Sequence, residues 1–215
     1  MHFINPFRGL RPAEEKASSI PIPSTDHLSE SIIASHKKDN PWNYLNIFNN
    51  KVYAEAKDQF ELMKKKSILI KDDAKSFYIY KISTKNHEQV GIIAKAKLSA
   101  YDNLHIRGHE EIYFDRSQER FDQINNLNAQ IGPIYVVYPD NIKLTELIKE
   151  QIISKPIYSF DALDKCRHEL WVLNKESTIL KISEIFNSIN RIYIADGHHR
   201  IAALSKFAEF KKHQN

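Results

Sequence analysis

Apolar residues recur along the chain with two spacings, and each spacing predicts a different element. A three-to-four-residue spacing marks helices over 29–38, 52–66, 144–153 and 179–189, together with a more polar helix starting near Asp115 and running to about Gln130. Ile32, Ile33 and His36 share one side of the first helix. Val52, Ala56, Phe60 and Met63 share one side of the second, and Leu144, Leu147 and Ile148 one side of the third. Period-two or continuous apolar runs predict strands. Phe77–Ile82 and Val90–Leu98, joined by a polar loop, read as an antiparallel hairpin, with Ala94, Ala96 and Leu98 facing inward and Lys95 and Lys97 outward. The apolar run 132–138 predicts a central strand, Tyr158 and Phe160 a short one, and 168–173 another. Trp42, Tyr44, Leu45, Ile47 and Phe48 form an aromatic cluster expected in the core. Helical and strand patterns mix along the chain without repeats or linkers. The expected fold class is therefore α+β, a mixed, largely antiparallel sheet with flanking helices in one domain over residues 1–215.

Composition narrows the setting. Hydrophobic residues make up 42% and charged residues 27% of the 215, as in ordinary globular proteins. A net charge of +4 with scattered lysines argues against a dedicated nucleic-acid binder, which would concentrate basic residues on one face. The single cysteine, Cys166, excludes an internal disulfide and fits a reducing compartment. No signal pattern opens the chain and no apolar run reaches membrane length, so a cytoplasmic location and no membrane partner are expected.

The densest chemistry lies near the C-terminus. Ile192 and Ile194 flank Tyr193 in a strand pattern, Asp196-Gly197 is a turn dipeptide, and Ile201, Leu204, Ser205 and Ala208 repeat with helical spacing. A helix N-terminus offers unpaired N–H groups and partial positive charge, which suits an anion. His198, His199 and Arg200 add donors, and an arginine grips two phosphate oxygens at once. Asp196 is suited to a metal ion or a proton, although an aspartate there also commonly caps the helix. With only five glycines in the chain, one between Asp196 and His198 favours a functional reading of this turn.

Two other stretches carry candidates. His105, Arg107, His109, Glu110 and Glu111 crowd a loop around Gly108, where the His109-Glu110 pair is suited to acid–base work or metal binding, although its spacing fits no zinc signature. In 6–12, Arg8 and Arg11 flank Gly9 and either serve an anion or stay solvated while Phe7 and Leu10 enter the core.

Taken together, Pro6-Phe7-Arg8-Gly9-Leu10-Arg11-Pro12, Asn40-Pro41, Tyr78 to Ile82, Tyr101-Asp102, His109-Glu110, Arg167-His168, Leu170-Trp171 and Tyr193 to Arg200 closely resemble the domain-of-unknown-function 1015 family of bacterial proteins. Where that family has a Pro-Pro-Tyr-Asp segment, this chain reads Pro21 to Asp26 without the tyrosine. Members usually continue past the final helix, so the resemblance implies that 1–215 corresponds to the N-terminal part of a longer architecture. The stretch 191–213 is also similar, more distantly, to the nucleotide site of the fold shared by ParB proteins, sulfiredoxins and free serine kinases. The sulfiredoxin cysteine has no counterpart here. The kinase turn Asp-Gly-x-His-Arg implies that Gly197, His199 and Arg200 hold nucleotide phosphates, with Asp196 beside the transferring phosphoryl group or its Mg²⁺. It also implies an N-terminal glutamate base, and Glu14 and Glu15 stand in that region.

The resulting expectation is phosphoryl transfer between a nucleotide (ATP or ADP, with Mg²⁺) and a small amino-acid-like substrate of the serine or phosphoserine class, in an active or degenerate enzyme. Asp196, His109 and Glu110 are the expected catalytic residues. Gly197, His198, His199, Arg200, Arg8 and Arg11 are the expected phosphate ligands. Two alternatives stand: a metal-dependent hydrolase built on Asp196, His198, His199, His109 and Glu110, and a nucleotide-binding module without turnover.

Overall fold

The structure, a computed structural model, describes residues 3–21, 29–48, 52–162 and 165–214. In chain order the first elements are β1 (Ile4–Asn5), β2 (Leu10–Pro12), a 3-10 turn (Glu14–Lys16), α1 (Glu30–Asp39), α2 (Leu45–Phe48) and α3 (Tyr53–Lys65). Then follow β3 (Leu69–Lys71), β4 (Phe77–Ser83), β5 (Glu88–Ile93), β6 (Lys95–Ala96), α4 (Leu98–Asp102), β7 (Ile106–Arg107) and α5 (Phe114–Leu127). The last are β8 (Tyr135–Val137), α6 (Ile142–Gln151), β9 (Tyr158–Asp161), β10 (Arg167–Leu173), α7 (Glu176–Asn187), β11 (Ile192–Asp196) and α8 (His198–Gln214). The class is α+β with mostly antiparallel pairing, distributed over four separate sheets among the described residues. No helix among them is long and apolar enough to cross a membrane. Positions 22–27, which hold most of the departure from the Pro-Pro-Tyr-Asp pattern, lie outside the described residues.

The chain divides into two compact units. One comprises Pro6–Ala94 and Lys143–Lys181. Its sheet runs β5-β4-β10-β9, antiparallel throughout, and β2 pairs separately with β3. Phe77, Ile79, Leu45 and Met63 are fully or almost fully buried here. On α3, Ala56, Phe60 and Met63 face the core while Val52, just ahead of the helix, is exposed. The other face of the sheet buries Tyr78, Tyr158 and Leu170 against Ala17, with Phe7 packed alongside.

The second unit is assembled from three separated segments: residues up to Asn5, Lys95–Ile142, and everything from Ile182 onward. β11 is the middle strand of its three-stranded sheet, parallel to β7 and antiparallel to β8. The α5 and α8 helices pack through Phe121, Ile124 and Ala203, with Leu204 and Phe207 against them. The α5 helix ends on Asn128 in the left-handed conformation.

Two expectations are corrected. The apolar run 132–138 yields not a central strand but the edge strand β8, with Tyr135 and Val137 exposed. Gly132 turns the backbone at φ +82°, and Pro133 cannot donate to a ladder, so only three residues pair. The hairpin strand ends at Ile93, β6 leaves to pair with β1, and Leu98 opens α4, so Ala96 is exposed rather than inward. Alanines bury too little apolar area to hold a strand face by themselves.

Candidate functional site

β11 and α8 form the strand-turn-helix that the sequence predicts. Ile192 and Ile194 are buried and anchor the strand, so its last residue, Asp196, emerges with its side chain 72% exposed. Gly197 then turns at φ +100°, a conformation open to glycine and unfavourable for other residues. Its carbonyl accepts from the Ile201 N–H at 3.0 Å and closes the first turn of α8. The N–H groups of His198, His199 and Arg200 thus lack intrahelical partners. Arg200 folds back over the turn, where its Nη2 donates to Asp196 Oδ2 at 2.8 Å while its Nε is buried without a partner. A Cβ on Gly197 would lie 2.9 Å from Arg200 Nε, so a side chain there would displace the guanidinium in addition to straining the backbone. Asp196 serves the arginine here rather than capping the helix.

The two histidines face the loop that follows β7. The backbone N–H of His109 donates to His198 Nε2 at 3.3 Å, and that of Tyr113 donates to His199 Nε2 at 3.2 Å. Residues 109–113 are therefore fastened to the first turn of α8 at both ends. Accepting at Nε2 places the proton of each neutral imidazole on Nδ1. His198 Nδ1 lies 3.0 Å from a carboxylate oxygen of Glu110 but off the line of a hydrogen bond, making the contact a close charged neighbour rather than an aligned bond. The His109 ring stands edge-on to His198, centroids 4.6 Å apart. Gly108 leaves the room for this, since a Cβ there would come within 3.0 Å of His198 Cδ2. Tyr113 stacks on His199 with centroids 5.8 Å apart and planes inclined by 11°.

The structure thus brings Asp196, Gly197, His198, His199, Arg200, His109 and Glu110 together. It gives His198 a different task from the expected one: the side chain is 2% exposed and holds a backbone N–H, so it is a buried fastening and not a phosphate donor. Arg8 and Arg11 belong to the other unit and are engaged within it. Arg11 donates to Asp72 at 2.9 Å and to the Tyr158 hydroxyl at 2.7 Å, while Arg8 Nε donates to the Asp72 carbonyl at 2.6 Å. The Gly9 N–H donates to the Tyr78 hydroxyl at 2.8 Å, and that hydroxyl donates to Asp72 at 2.6 Å. Burial, followed by the bond to Asp72, pushes the Tyr78 hydroxyl up to about 12. This half-buried network explains Arg11 and Gly9 without a ligand, while Leu10, inward only under the reading that left the arginines solvated, is exposed. Glu14 and Glu15 open the 3-10 turn of the same unit.

Sequence reasoning missed Tyr113. Its signal was the apolar triplet Ile112-Tyr113-Phe114 directly after a charged loop, at the entrance to α5. Among the described residues, no three His, Cys, Asp or Glu side chains are grouped to hold a metal ion.

A family model described as "Protein of unknown function (DUF1015)" matches residues 4–215. No curated protein and no solved structure matches the chain.

Proposed function

The chain belongs to the DUF1015 family, and from its site we propose that it binds a nucleotide by its phosphates and transfers a phosphoryl group to or from a small amino-acid-like substrate, of the serine or phosphoserine class. The strand-turn-helix at 191–213 is, in this reading, a ParB/sulfiredoxin-like core. One observation carries it: the N-terminus of α8, whose first N–H groups have no partner within the helix, behind Gly197 at φ +100°, with an arginine whose Nε is buried and unpartnered. A buried guanidinium N–H left without an acceptor is costly, and an anion supplies one. The helix N–H groups, Gly197, His199 through its free Nδ1–H, and Arg200 would hold the phosphates.

Phosphoryl transfer depends chiefly on positioning and on neutralising charge. Arg200 and the helix end supply positive character where the phosphate charge concentrates. Glu110, 54% exposed and 3.0 Å from His198, would take the proton of an acceptor hydroxyl as its oxygen bonds to phosphorus and the nucleoside diphosphate leaves. His109 lines the same loop. Mg²⁺ would be held chiefly by phosphate oxygens and water, as that ion prefers, with Asp196 the protein carboxylate nearest the turn.

Calorimetric titration of ATP and ADP, with and without Mg²⁺, into the wild-type chain and an Asp196→Ala/Arg200→Ala variant tests this. Binding that the variant loses supports the reading, and a phosphorus NMR assay with serine then separates transfer from binding alone. Binding retained in full by the variant would remove the site assignment. Stoichiometric zinc or manganese in the purified protein would favour the hydrolase instead.

A further inference from the structure

Beside the phosphate corner lies a feature that its chemistry does not use. Tyr113 and Phe114, consecutive at the entrance to α5, are 57% and 70% exposed. Each ring has a cation close by, with the Arg116 guanidinium 5.7 Å from the Tyr113 centroid and the Lys206 ammonium 5.1 Å from that of Phe114. Two adjacent exposed aromatic rings, each with a cation close by, offer flat apolar surface suited to stacking with a planar group. Two features of their placement connect them with the turn. The Tyr113 N–H is fastened to His199, the second residue of α8, and the Tyr113 ring stacks on the His199 imidazole. Lys206 stands further along the same helix. The rings are therefore fixed next to the helix end where the phosphates would bind, on the unit that carries the whole site.

We infer that Tyr113 and Phe114 are the platform on which the base of the bound nucleotide stacks, with Arg116 and Lys206 supplying positive charge along it. The inference rests on the phosphate-site reading above and deepens it. A nucleotide needs an aromatic or apolar surface one sugar away from its phosphates, and this pair of rings lies beside the corner rather than in it. Stacking engages a base by its face, which every base possesses, so it discriminates weakly among sequences and favours the larger purine rings. The ligand class is accordingly a purine nucleoside di- or triphosphate with little preference between adenine and guanine.

The test compares ATP, GTP and inorganic tripolyphosphate by calorimetry on the full chain, its Tyr113→Ala/Phe114→Ala variant and its Arg200→Ala variant, with thermal melting as a folding control. Removing the Tyr113 side chain keeps the backbone N–H that bonds to His199. The expected result is ATP and GTP within a few-fold of each other and both about tenfold or more tighter than tripolyphosphate. The double variant loses that advantage and leaves tripolyphosphate affinity unchanged, while Arg200→Ala weakens all three. If the double variant does not fold, Phe114→Leu, which keeps apolar bulk and removes the ring, loses part of the advantage. Tripolyphosphate binding as tightly as ATP, or weakening together with ATP in the ring variants, overturns the platform and leaves the phosphate corner standing. If none of the three binds, or if Arg200→Ala leaves all three unchanged, the phosphate corner falls and the platform with it.

Discussion

Arg200 and Asp196 meet at 2.8 Å across Gly197, so the arginine best placed to grip an anion is already paired with a carboxylate of its own turn. An incoming phosphate has to share the guanidinium or displace Asp196. Asp196→Asn is therefore expected to tighten tripolyphosphate binding several-fold. Because the pair is partly exposed, its loss should cost at most about 1 kcal/mol of stability. Calorimetry and urea denaturation on the same sample check both halves, and an affinity that stays level or falls would mean that Asp196 and the anion do not compete.

Gly197→Ala combines two costs. The residue sits at φ +100°, and the new methyl would meet Arg200 Nε and Nη2 at 2.9 Å. The backbone share is about 1–2 kcal/mol. The steric share is expected to appear as displacement of Arg200 and weaker nucleotide binding. In an Arg200→Ala background only the backbone share should remain. Equal destabilisation in the two backgrounds, measured by urea titration, would show that the arginine is not crowded by the methyl.

His198→Ala removes a buried ring together with the acceptor of the His109 N–H. A loss of about 2–4 kcal/mol is expected, with the cavity as the larger part. Hydrogen exchange read by NMR should show the His109 amide opening first, since its bond is the one removed. A His109 amide as protected as in the wild type would contradict the fastening.

In the other unit, the Tyr78 hydroxyl, which ordinarily titrates near 10, is pushed up to about 12 by burial and by its bond to Asp72. The folded state thus favours the protonated form. That stabilisation is complete below pH 10 and is lost as pH rises through 12. Alkaline denaturation should accordingly steepen between pH 10 and 12 in the wild type and be shallower in Tyr78→Phe, which starts from a lower stability at pH 8. Parallel curves for the two proteins over that interval would count against the coupling.

The strand-turn-helix was legible because Ile192, Ile194 and Ile201 follow their periods and Asp196-Gly197 breaks them at one point. The edge position of β8 was not, since an apolar run announces burial but not which neighbours a strand will have. Arg11 shows the same limit: nothing in 6–12 points forward to Asp72 and Tyr158, the partners that occupy it. The meeting of His109-Glu110 with the Asp196 turn was equally hidden, because it depends on β7 pairing in parallel with β11. The roles of the histidines were hidden too. Residue identity suggests donors for an anion, and geometry makes both Nε2 atoms acceptors of backbone N–H groups.

The bond from His109 to His198 spans 89 positions, and the one from Tyr113 to His199 spans 86. Contacts that distant in sequence close large loops and are expected to form late in folding. During synthesis, Glu110, Tyr113 and Phe114 must wait for α8 to leave the ribosome before they have anything to hold them. The site is completed only once the first turn of α8 has been made, and a chain halted before His198 would lack both of the bonds that fasten residues 109–113.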